Sequence, residues 1–165
     1  MIKPLKNAIA DGDPIRAIIR NTIVNQDGRT SGLTMPSCQA QLAMMQDAYS
    51  QAQLHPLDTQ YIEAHGTGTT AGDPIEVEAI ANALSLSRPI STPLFLGSVK
   101  TNIGHLESAS GIAGLIKAVL CVEKGMLLPS INFEIENANL RLEQRNMKVS
   151  TLASAVVMKV MKDRS

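Results

Sequence analysis

Two histidines, His65 and His105, each stand beside glycine at the end of a predicted apolar strand. A strand that ends in a glycine-rich turn presents side chains at the rim of a sheet, where the catalytic groups of α/β folds usually lie. Two neutral imidazoles on neighbouring strand ends supply two N–H donors to an oxygen atom that gains negative charge in a reaction. The pair therefore predicts a site that stabilises an oxyanion, such as an enolate.

Lys100 lies five residues before His105 and adds a positive charge to the same predicted site. A nearby ammonium group disfavours protonation of the imidazoles and so keeps them as neutral donors. The alternative interpretation of Lys100 is a solvated charge at a strand end. Glu107, two residues after His105, is either a member of the polar network or an acid in the first turn of a helix, where the helix dipole favours it.

The turn after His65 is rich in glycine and threonine. The glycines let the backbone approach a ligand closely, and Thr67 and Thr69 place hydroxyl groups at alternate positions of the turn. A ligand arm with amide or carbonyl groups would find hydrogen-bond partners there. The glycine spacing is also similar to that of a dinucleotide-binding loop, but Asp73 occupies the helix start at which a phosphate would bind, and its charge disfavours that function.

Strands and helices alternate along the chain. Apolar, β-branched runs bounded by turn residues predict strands at residues 15–24, 61–64 and 94–99, and a fourth short one at 131–133. Apolar residues spaced three and four apart predict helices at residues 37–53, from residue 74 onward and at 108–124. This alternation is typical of an α/β fold in which helices pack on a largely parallel sheet.

The second and third predicted helices carry end signals and apolar stripes. Asp73 is predicted to cap the second helix, with Pro74 as its first residue and Glu76 as a capping-box glutamate, and Gly125 is predicted to end the third helix. The buried stripe of the second helix is predicted to consist of Val77, Ile80, Ala81 and Leu84. The buried stripe of the third is predicted to consist of Ile112, Leu115, Ile116 and Val119.

The composition of the 165 residues excludes several classes of function. Fifteen Lys and Arg residues balance fifteen Asp and Glu residues, so the basic surface of a nucleic-acid binder is missing. No uncharged apolar run reaches the roughly 18 residues of a membrane span, and no secretion signal is present. Two cysteines are too few for a disulfide framework or a zinc site and indicate a reducing compartment. We expect one cytoplasmic domain that binds no nucleic acid, membrane or metal.

Five motifs in family order resemble the second half of the β-ketoacyl synthase (ketosynthase) domain of type I polyketide synthases and related fatty acid synthases. The motifs lie at residues 11–17, 25–30, 61–69, 72–76 and 97–107. The resemblance implies a thiolase-like fold with layers of helix, sheet and helix, of which residues 1–149 are the C-terminal half. The family's glycine-rich closing segment is missing, so we expect a truncated domain with a divergent tail at 150–165.

Members of this family extend an acyl chain by decarboxylative Claisen condensation of a malonyl-type extender with an acyl thioester. The resemblance implies that His65 and His105 are the two catalytic histidines and that Lys100 is the active-site lysine. Thr67 and Thr69 match positions that contact the phosphopantetheine arm of an acyl carrier protein, and the chain itself binds no cofactor. Full domains of the family are homodimers, which the resemblance also implies for the parent of this chain.

The nucleophilic cysteine of the family has no counterpart in this chain, since it belongs to the first half of the domain. Cys38 lies at a predicted helix start, where the dipole would lower its pKa, but the family places no nucleophile there. Cys121 is expected to be a small core residue. We therefore expect a ketosynthase fragment that is inactive alone. The alternative is a non-catalytic module that docks a carrier protein or a synthase subunit.

Overall fold

Three short parallel strands form the central sheet of the protein. A computed structural model describes residues 1–30, 32 and 35–155 of the chain. The strands are β1 (Tyr61–Glu63), β2 (Leu94–Gly97) and β4 (Met147–Val149), and β2 lies between the other two. Leu96 of β2 is in register with Ile62 on one side and with Val149 on the other. The predicted α/β class and the predicted strands at 61–64 and 94–99 are confirmed.

The described part of the chain contains five α-helices. They are α1 (Leu5–Ala10), α2 (Cys38–Ala52), α3 (Gly72–Ile80), α4 (Lys100–Ile103) and α5 (Ser110–Lys124), and a π-helical turn at Ala81–Ser85 extends α3. The Oγ of Ser37 accepts the N–H of Ala40 at 3.1 Å and so begins α2 as an N-cap. Gly125 ends α5 in the left-handed conformation that its position in the sequence predicts.

The hydrophobic core lies between the sheet and the outer layer formed by α2 and α3. The predicted buried stripe of α3 is confirmed, since each of its four residues is at most 3% exposed. These residues pack on Leu94 and Leu96 of β2 and on Met147 of β4. They also pack on Leu140 and Leu142, which lie in the turns before β4. Met45 and Tyr49 of α2 cover the cluster from outside. Leu94 is fully buried at its centre.

The predicted buried stripe of α5 is wrong. Ile112 and Ile116 are more than half exposed, whereas the buried residues of this helix are Ser110, Lys117 and Cys121. Most of the circumference of α5 is apolar, so the spacing of its apolar residues does not select the face that packs on the sheet. Small and polar residues face the sheet because the helix lies close to the end of β1.

Two other predicted strands are absent from the structure. Residues 15–24 pair with no strand among the described residues, and Ile15, Ile18 and Val24 are largely exposed. A strand needs a hydrogen-bonding neighbour as well as β-branched residues. Residues 131–132 form a turn, in which Asn132 has a positive φ, and the sheet instead contains β4 at Met147–Val149, where the sequence predicted no strand.

A second sheet consists of two short antiparallel strands and connects the end of the described chain to the segment after α5. It consists of β3 (Met126–Leu127) and β5 (Ser154–Ala155), although the sequence predicted no structure for residues 150–165. Residues 156–165 of that predicted tail lie outside the described residues. Within the described ranges, no helix is both long and apolar enough to cross a membrane.

Candidate active site

The carboxyl ends of β1 and β2 bring together the three groups that the sequence singled out. His65 follows β1 by two residues, and the loop after β2 carries α4 and then His105. The two imidazole rings meet edge to face, with 5.4 Å between centroids and 89° between planes. The Nζ atom of Lys100 lies 3.4 Å from Nδ1 of His65. Parallel neighbouring strands end at the same sheet edge, which explains why residues 35 to 40 positions apart in sequence converge.

The contact with Lys100 assigns the protonation pattern of His65. An ammonium group has only donors, so Nδ1 of a neutral His65 accepts the hydrogen bond. The ring proton is thereby assigned to Nε2. His65 is largely exposed, and its Nε2–H is the donor that it presents to a ligand.

His105 has the same pattern from different partners. The backbone N–H of Glu107 donates to Nδ1 of His105 at 2.9 Å, and the Oγ of Ser110 lies 3.2 Å from the same nitrogen. The Ser110 oxygen in turn accepts the N–H of Leu106 at 3.0 Å, so its own hydrogen is directed to the imidazole. Nδ1 is therefore an acceptor and Nε2 carries the proton. Both histidines are thus Nε2–H donors.

Glu107 contributes to the site mainly through its backbone. Its carboxylate oxygen lies 3.8 Å from Nδ1 of His105, and its side chain is 90% exposed. Glu107 has a φ of +47°, a left-handed conformation that is uncommon outside glycine. That conformation accompanies the hydrogen bond from its N–H to the imidazole. The predicted polar network therefore includes Glu107 through its main chain.

The predicted cap of α3 is wrong, because Glu76 has a different function. The helix begins at Gly72, after an N-cap residue with no side-chain hydrogen bond. The carboxylate of Glu76 instead accepts the backbone N–H groups of His65 at 2.6 Å and of Gly66 at 2.9 Å. Asp73 accepts the N–H of Gly68 at 3.1 Å. Two acids in the first turns of α3 therefore hold the loop that presents His65.

Gly66 is required by the shape of this loop. Its φ is +49°, and a Cβ atom there would lie 2.9 Å from Cβ of Ser98. The Oγ of Ser98 donates to the carbonyl oxygen of His65 at 3.3 Å. Glycine thus allows the loop that carries His65 to approach the end of β2. This close approach sets the distance between the loops that follow β1 and β2.

The two threonines lie on the same loop. The Oγ1 atoms of Thr67 and Thr69 are 3.4 Å apart, and Oγ1 of Thr69 accepts the N–H of Gly72 at 3.1 Å. Thr69 is exposed and Thr67 is half-buried. One hydroxyl donates to the other in this contact, so one hydroxyl hydrogen of the pair is left to donate to a ligand. No cluster of metal-ligating side chains occurs in the part of the chain that the structure describes.

The two cysteines lie in different environments. Cys121 is 2% exposed, as predicted for a core residue. Burial raises the pKa of the Cys38 thiol, and the charge of Glu78 raises it further. The positive charge of Arg145 acts in the opposite direction, but it is the smallest of the three effects. Both cysteines are free thiols.

The sequence also left three polar residues near the site without a function. They are Ser110, Glu63 and Lys117, for none of which the sequence pattern predicted any chemistry. The signal available for the last two was a charged residue inside an otherwise apolar element, since charges are almost never buried unless they are paired. Their contacts depend on how α5 packs on β1, which the sequence pattern did not predict.

Comparison with known proteins decides the family. Residues 16–134 match the family model described as "Beta-ketoacyl synthase, C-terminal domain". The chain belongs to the β-ketoacyl synthase family. It is 55% identical over 151 residues to highly-reducing polyketide synthase 1 of Aureobasidium melanogenum and 52% identical over 151 residues to a highly reducing polyketide synthase of Preussia isomera. These alignments cover 92% of this chain but 7% and 6% of those synthases.

Solved ketosynthases share the fold. The ketosynthase from module 6 of the bacillaene synthase of Bacillus subtilis 168 superposes with a TM-score of 0.86 at 38% identity, over 97% of this chain and 29% of that one. An oxazolomycin ketosynthase domain of Streptomyces albus gives 0.86 at 36% identity, over 93% and 26%. The predicted resemblance to the C-terminal half of a ketosynthase domain is confirmed, and the chain spans less than a third of these domains.

Proposed function

We propose that this chain supplies the histidine half of a ketosynthase site that forms carbon–carbon bonds by decarboxylative condensation. His65 and His105 are the catalytic oxyanion donors and Lys100 is the catalytic lysine that contacts His65. One observation carries the proposal: two imidazole rings have centroids 5.4 Å apart, and the Nδ1 atom of each lies beside a donor, so that each ring offers its Nε2–H. Such a preorganised pair of donors stabilises an oxygen atom that develops charge in a transition state.

The reaction balances without a redox partner. The malonyl thioester loses carbon dioxide, and the electron pair of the broken C–C bond forms an enolate whose oxygen accepts hydrogen bonds from His65 and His105. The enolate carbon then attacks the carbonyl carbon of an acyl thioester, and the thiolate that held the acyl group leaves. The two imidazoles remain neutral throughout, because they donate hydrogen bonds and transfer no proton in this step.

The substrates are malonyl and acyl thioesters, and the partner is an acyl carrier protein that presents them on phosphopantetheine. The Thr67 and Thr69 hydroxyls support this assignment, since one of them donates to the other and the second keeps its hydrogen for an amide carbonyl of the arm. The chain holds no cofactor of its own in this proposal. The working form is a homodimer of the full domain, and it is located in the cytoplasm. The two free thiols are suited to this reducing compartment.

We further propose that residues 1–149 are the ketosynthase part, that residues 150–165 are a divergent tail and that the chain does not condense acyl groups by itself. The thiol of Cys121 is buried, and the raised pKa of Cys38 disfavours its thiolate, so neither matches the activated cysteine that covalent catalysis requires. A complementary N-terminal half would provide that cysteine. The product would be a β-ketoacyl chain in polyketide or fatty acid biosynthesis.

The test is complementation. The chain is incubated with malonyl-carrier protein and an acyl thioester, alone and together with a separately expressed N-terminal half from a highly reducing polyketide synthase. We expect condensation product only in the mixture, detected by mass spectrometry of the carrier protein. A His65→Ala/His105→Ala double variant is the matched control, since it removes both donors and should abolish product while leaving assembly of the two halves intact.

Two outcomes would contradict the proposal. Condensation by the chain alone would overturn its dependence on another half. A stable assembly of the two halves, without decarboxylation of malonyl-carrier protein, would overturn the catalytic assignment. If the chain then still binds pantetheinylated carrier protein, it is the non-catalytic docking module that the sequence left as the alternative.

A further inference from the structure

A buried carboxylate lies behind the histidine pair, between the sheet and α5. It belongs to Glu63, the last residue of β1 and two positions before His65. Gly114 of α5 makes room for it, because a Cβ atom at that position would lie 3.2 Å from Cγ of Glu63. The helix and the sheet are thus close enough to enclose a charged side chain, which needs compensation there.

Lys117 supplies the compensating charge. It lies one helical turn after Gly114 and is 5% exposed, and its Nζ is 2.9 Å from Oε2 of Glu63. The ammonium group also lies 5.5 Å from the ring centroid of Tyr61, whose hydroxyl donates to the same Oε2. Nζ is close enough for an ion pair but is not aligned for a hydrogen bond. The contact is therefore mainly electrostatic.

The other oxygen of Glu63 contacts the loop after β2, which carries Lys100. Oε1 accepts the backbone N–H of Val99 at 2.5 Å. Val99 immediately precedes α4, and Lys100 is the first residue of that helix. One oxygen of the carboxylate is thus held by the ion pair, while the other fixes the backbone position from which Lys100 extends to His65.

We propose that Glu63 and Lys117 are positioning residues that hold Lys100 against His65 and so keep the proton of His65 on Nε2. Lys117 holds the carboxylate of Glu63 in place through the ion pair, and Glu63 fixes the start of α4. Neither residue touches substrate, so neither is catalytic. The consequence for turnover rests on the ketosynthase function proposed above, whereas the effect on the imidazole does not.

Two double variants separate positioning from simple stabilisation. Glu63→Gln/Lys117→Met and Glu63→Leu/Lys117→Met both remove the two buried charges and keep similar side-chain volumes. A neutral replacement of a buried ion pair is commonly tolerated by the fold. Only glutamine retains an oxygen that can accept the Val99 N–H. If the pair only stabilises the fold, the two variants should behave alike.

The readout is the tautomer of each histidine in the full 165-residue chain, measured by long-range ¹H–¹⁵N NMR of the imidazoles. We expect a single Nε2–H tautomer of His65 in the wild-type chain and in the Gln/Met variant, and a mixture of tautomers in the Leu/Met variant. His105 is the internal reference, because its Nδ1 partners lie elsewhere, and its tautomer should stay unchanged. Thermal melting followed by circular dichroism verifies that each variant is folded.

A Glu63→Asp variant provides a second test that keeps both charges. Its carboxylate is one methylene shorter and cannot hold both Nζ of Lys117 and the N–H of Val99, so His65 should again show mixed tautomers. A single Nε2–H tautomer of His65 in the folded Leu/Met and Asp variants would overturn the inference, as would equal disturbance of His65 in both double variants. None of these outcomes depends on turnover, so they are independent of whether the complementation experiment succeeds.

Discussion

The Nζ atom of Lys100 lies 3.4 Å from Nδ1 of His65, across the ring from Nε2. Lys100 therefore acts on the electronic state of His65 by occupying its acceptor nitrogen. The ammonium group also adds positive potential near a developing oxyanion. Both effects favour the proposed decarboxylative condensation, because a neutral Nε2–H donor and a nearby cation each stabilise the negative charge of the enolate oxygen.

Replacement of Lys100 tests this relationship directly. In Lys100→Met the Nδ1 of His65 loses its donor, the ring populates both tautomers and the nearby positive charge disappears. We expect malonyl decarboxylation by the assembled ketosynthase to fall roughly 10²- to 10³-fold, as when one oxyanion donor is removed from an active site. Lys100→Arg should recover part of the rate because a guanidinium group is still a donor.

Lys124→Met is the matched control for this change. It also removes one lysine charge, but at the exposed end of α5. Its decarboxylation rate should equal that of the wild type. A Lys100→Met protein whose rate stays within about twofold of wild type, which corresponds to only about 0.4 kcal/mol of barrier, would contradict the function assigned to Lys100.

Ser110 should have a smaller effect on His105. Ser110→Ala removes one of two donors to Nδ1 of His105, while the N–H of Glu107 remains. We expect a three- to tenfold lower decarboxylation rate, since one neutral hydrogen bond contributes about 1 kcal/mol. Ser108→Ala changes an exposed serine in the turn before α5 and should leave the rate unchanged. Equal rates in the two variants would show that the Ser110 hydroxyl does not act on His105.

The α3 stripe and the α5 stripe show how far sequence patterns carry this fold. In α3 the buried residues follow a single face, so the three-and-four spacing identified them correctly. In α5 apolar residues surround the helix, and the face that packs on β1 is chosen instead by Gly114 and the Glu63–Lys117 pair. That choice depends on a contact between distant parts of the chain, which periodicity does not contain.

The sequence likewise predicted only part of the candidate site. His65, His105 and Lys100 were predicted, because motif spacing and parallel strands together place them at one edge of the sheet. The hydrogen bonds that hold them were not, because Glu76 reaches across to backbone N–H groups ten and eleven residues earlier. A glutamate in the first turns of a helix has the same sequence signature whether it caps its own helix or binds a neighbouring loop.

Glu76 should therefore affect stability as well as activity. In Glu76→Gln both N–H groups lose their charged partner, and one of them, that of His65 or of Gly66, faces the amide NH2 group and loses its acceptor altogether. We expect a loss of about 2 kcal/mol in the free energy of unfolding, because hydrogen bonds to charged groups contribute about 1.5–3 kcal/mol. Urea denaturation measures this difference, and the decarboxylation rate should fall in parallel as the histidine loop loosens.

Glu78→Gln is the control for Glu76→Gln, since it makes the same chemical change two residues later in α3. The Glu78 side chain is 54% exposed and lies 3.7 Å from the guanidinium of Arg145. The Arg145 side chain is only 18% exposed, but the Glu78 carboxylate faces solvent and the pair is long, so it contributes about 0–1 kcal/mol and the unfolding free energy should change little. If the two variants lose equal stability, Glu76 does not hold the histidine loop by the two hydrogen bonds described here.

Cys38 provides a test that depends on pH. Burial and the charge of Glu78 raise the pKa of its thiol, so less thiolate is present at a given pH than in a free cysteine. We expect the rate of alkylation by iodoacetamide to be lower than that of a model thiol and to reach its plateau at higher pH. Glu78→Gln removes one of the two causes and should shift the profile partly back toward lower pH, because burial remains.

Peptide mass spectrometry resolves this alkylation from that of Cys121, which is buried and should react only when the chain unfolds. The distinction matters for function, because a cysteine that attacks a thioester needs a readily formed thiolate. If Cys38 alkylates faster than a model thiol at neutral pH, the helix dipole outweighs desolvation, and Cys38 becomes a candidate acyl acceptor within the chain itself. Slow alkylation instead supports a site whose nucleophile comes from outside these residues.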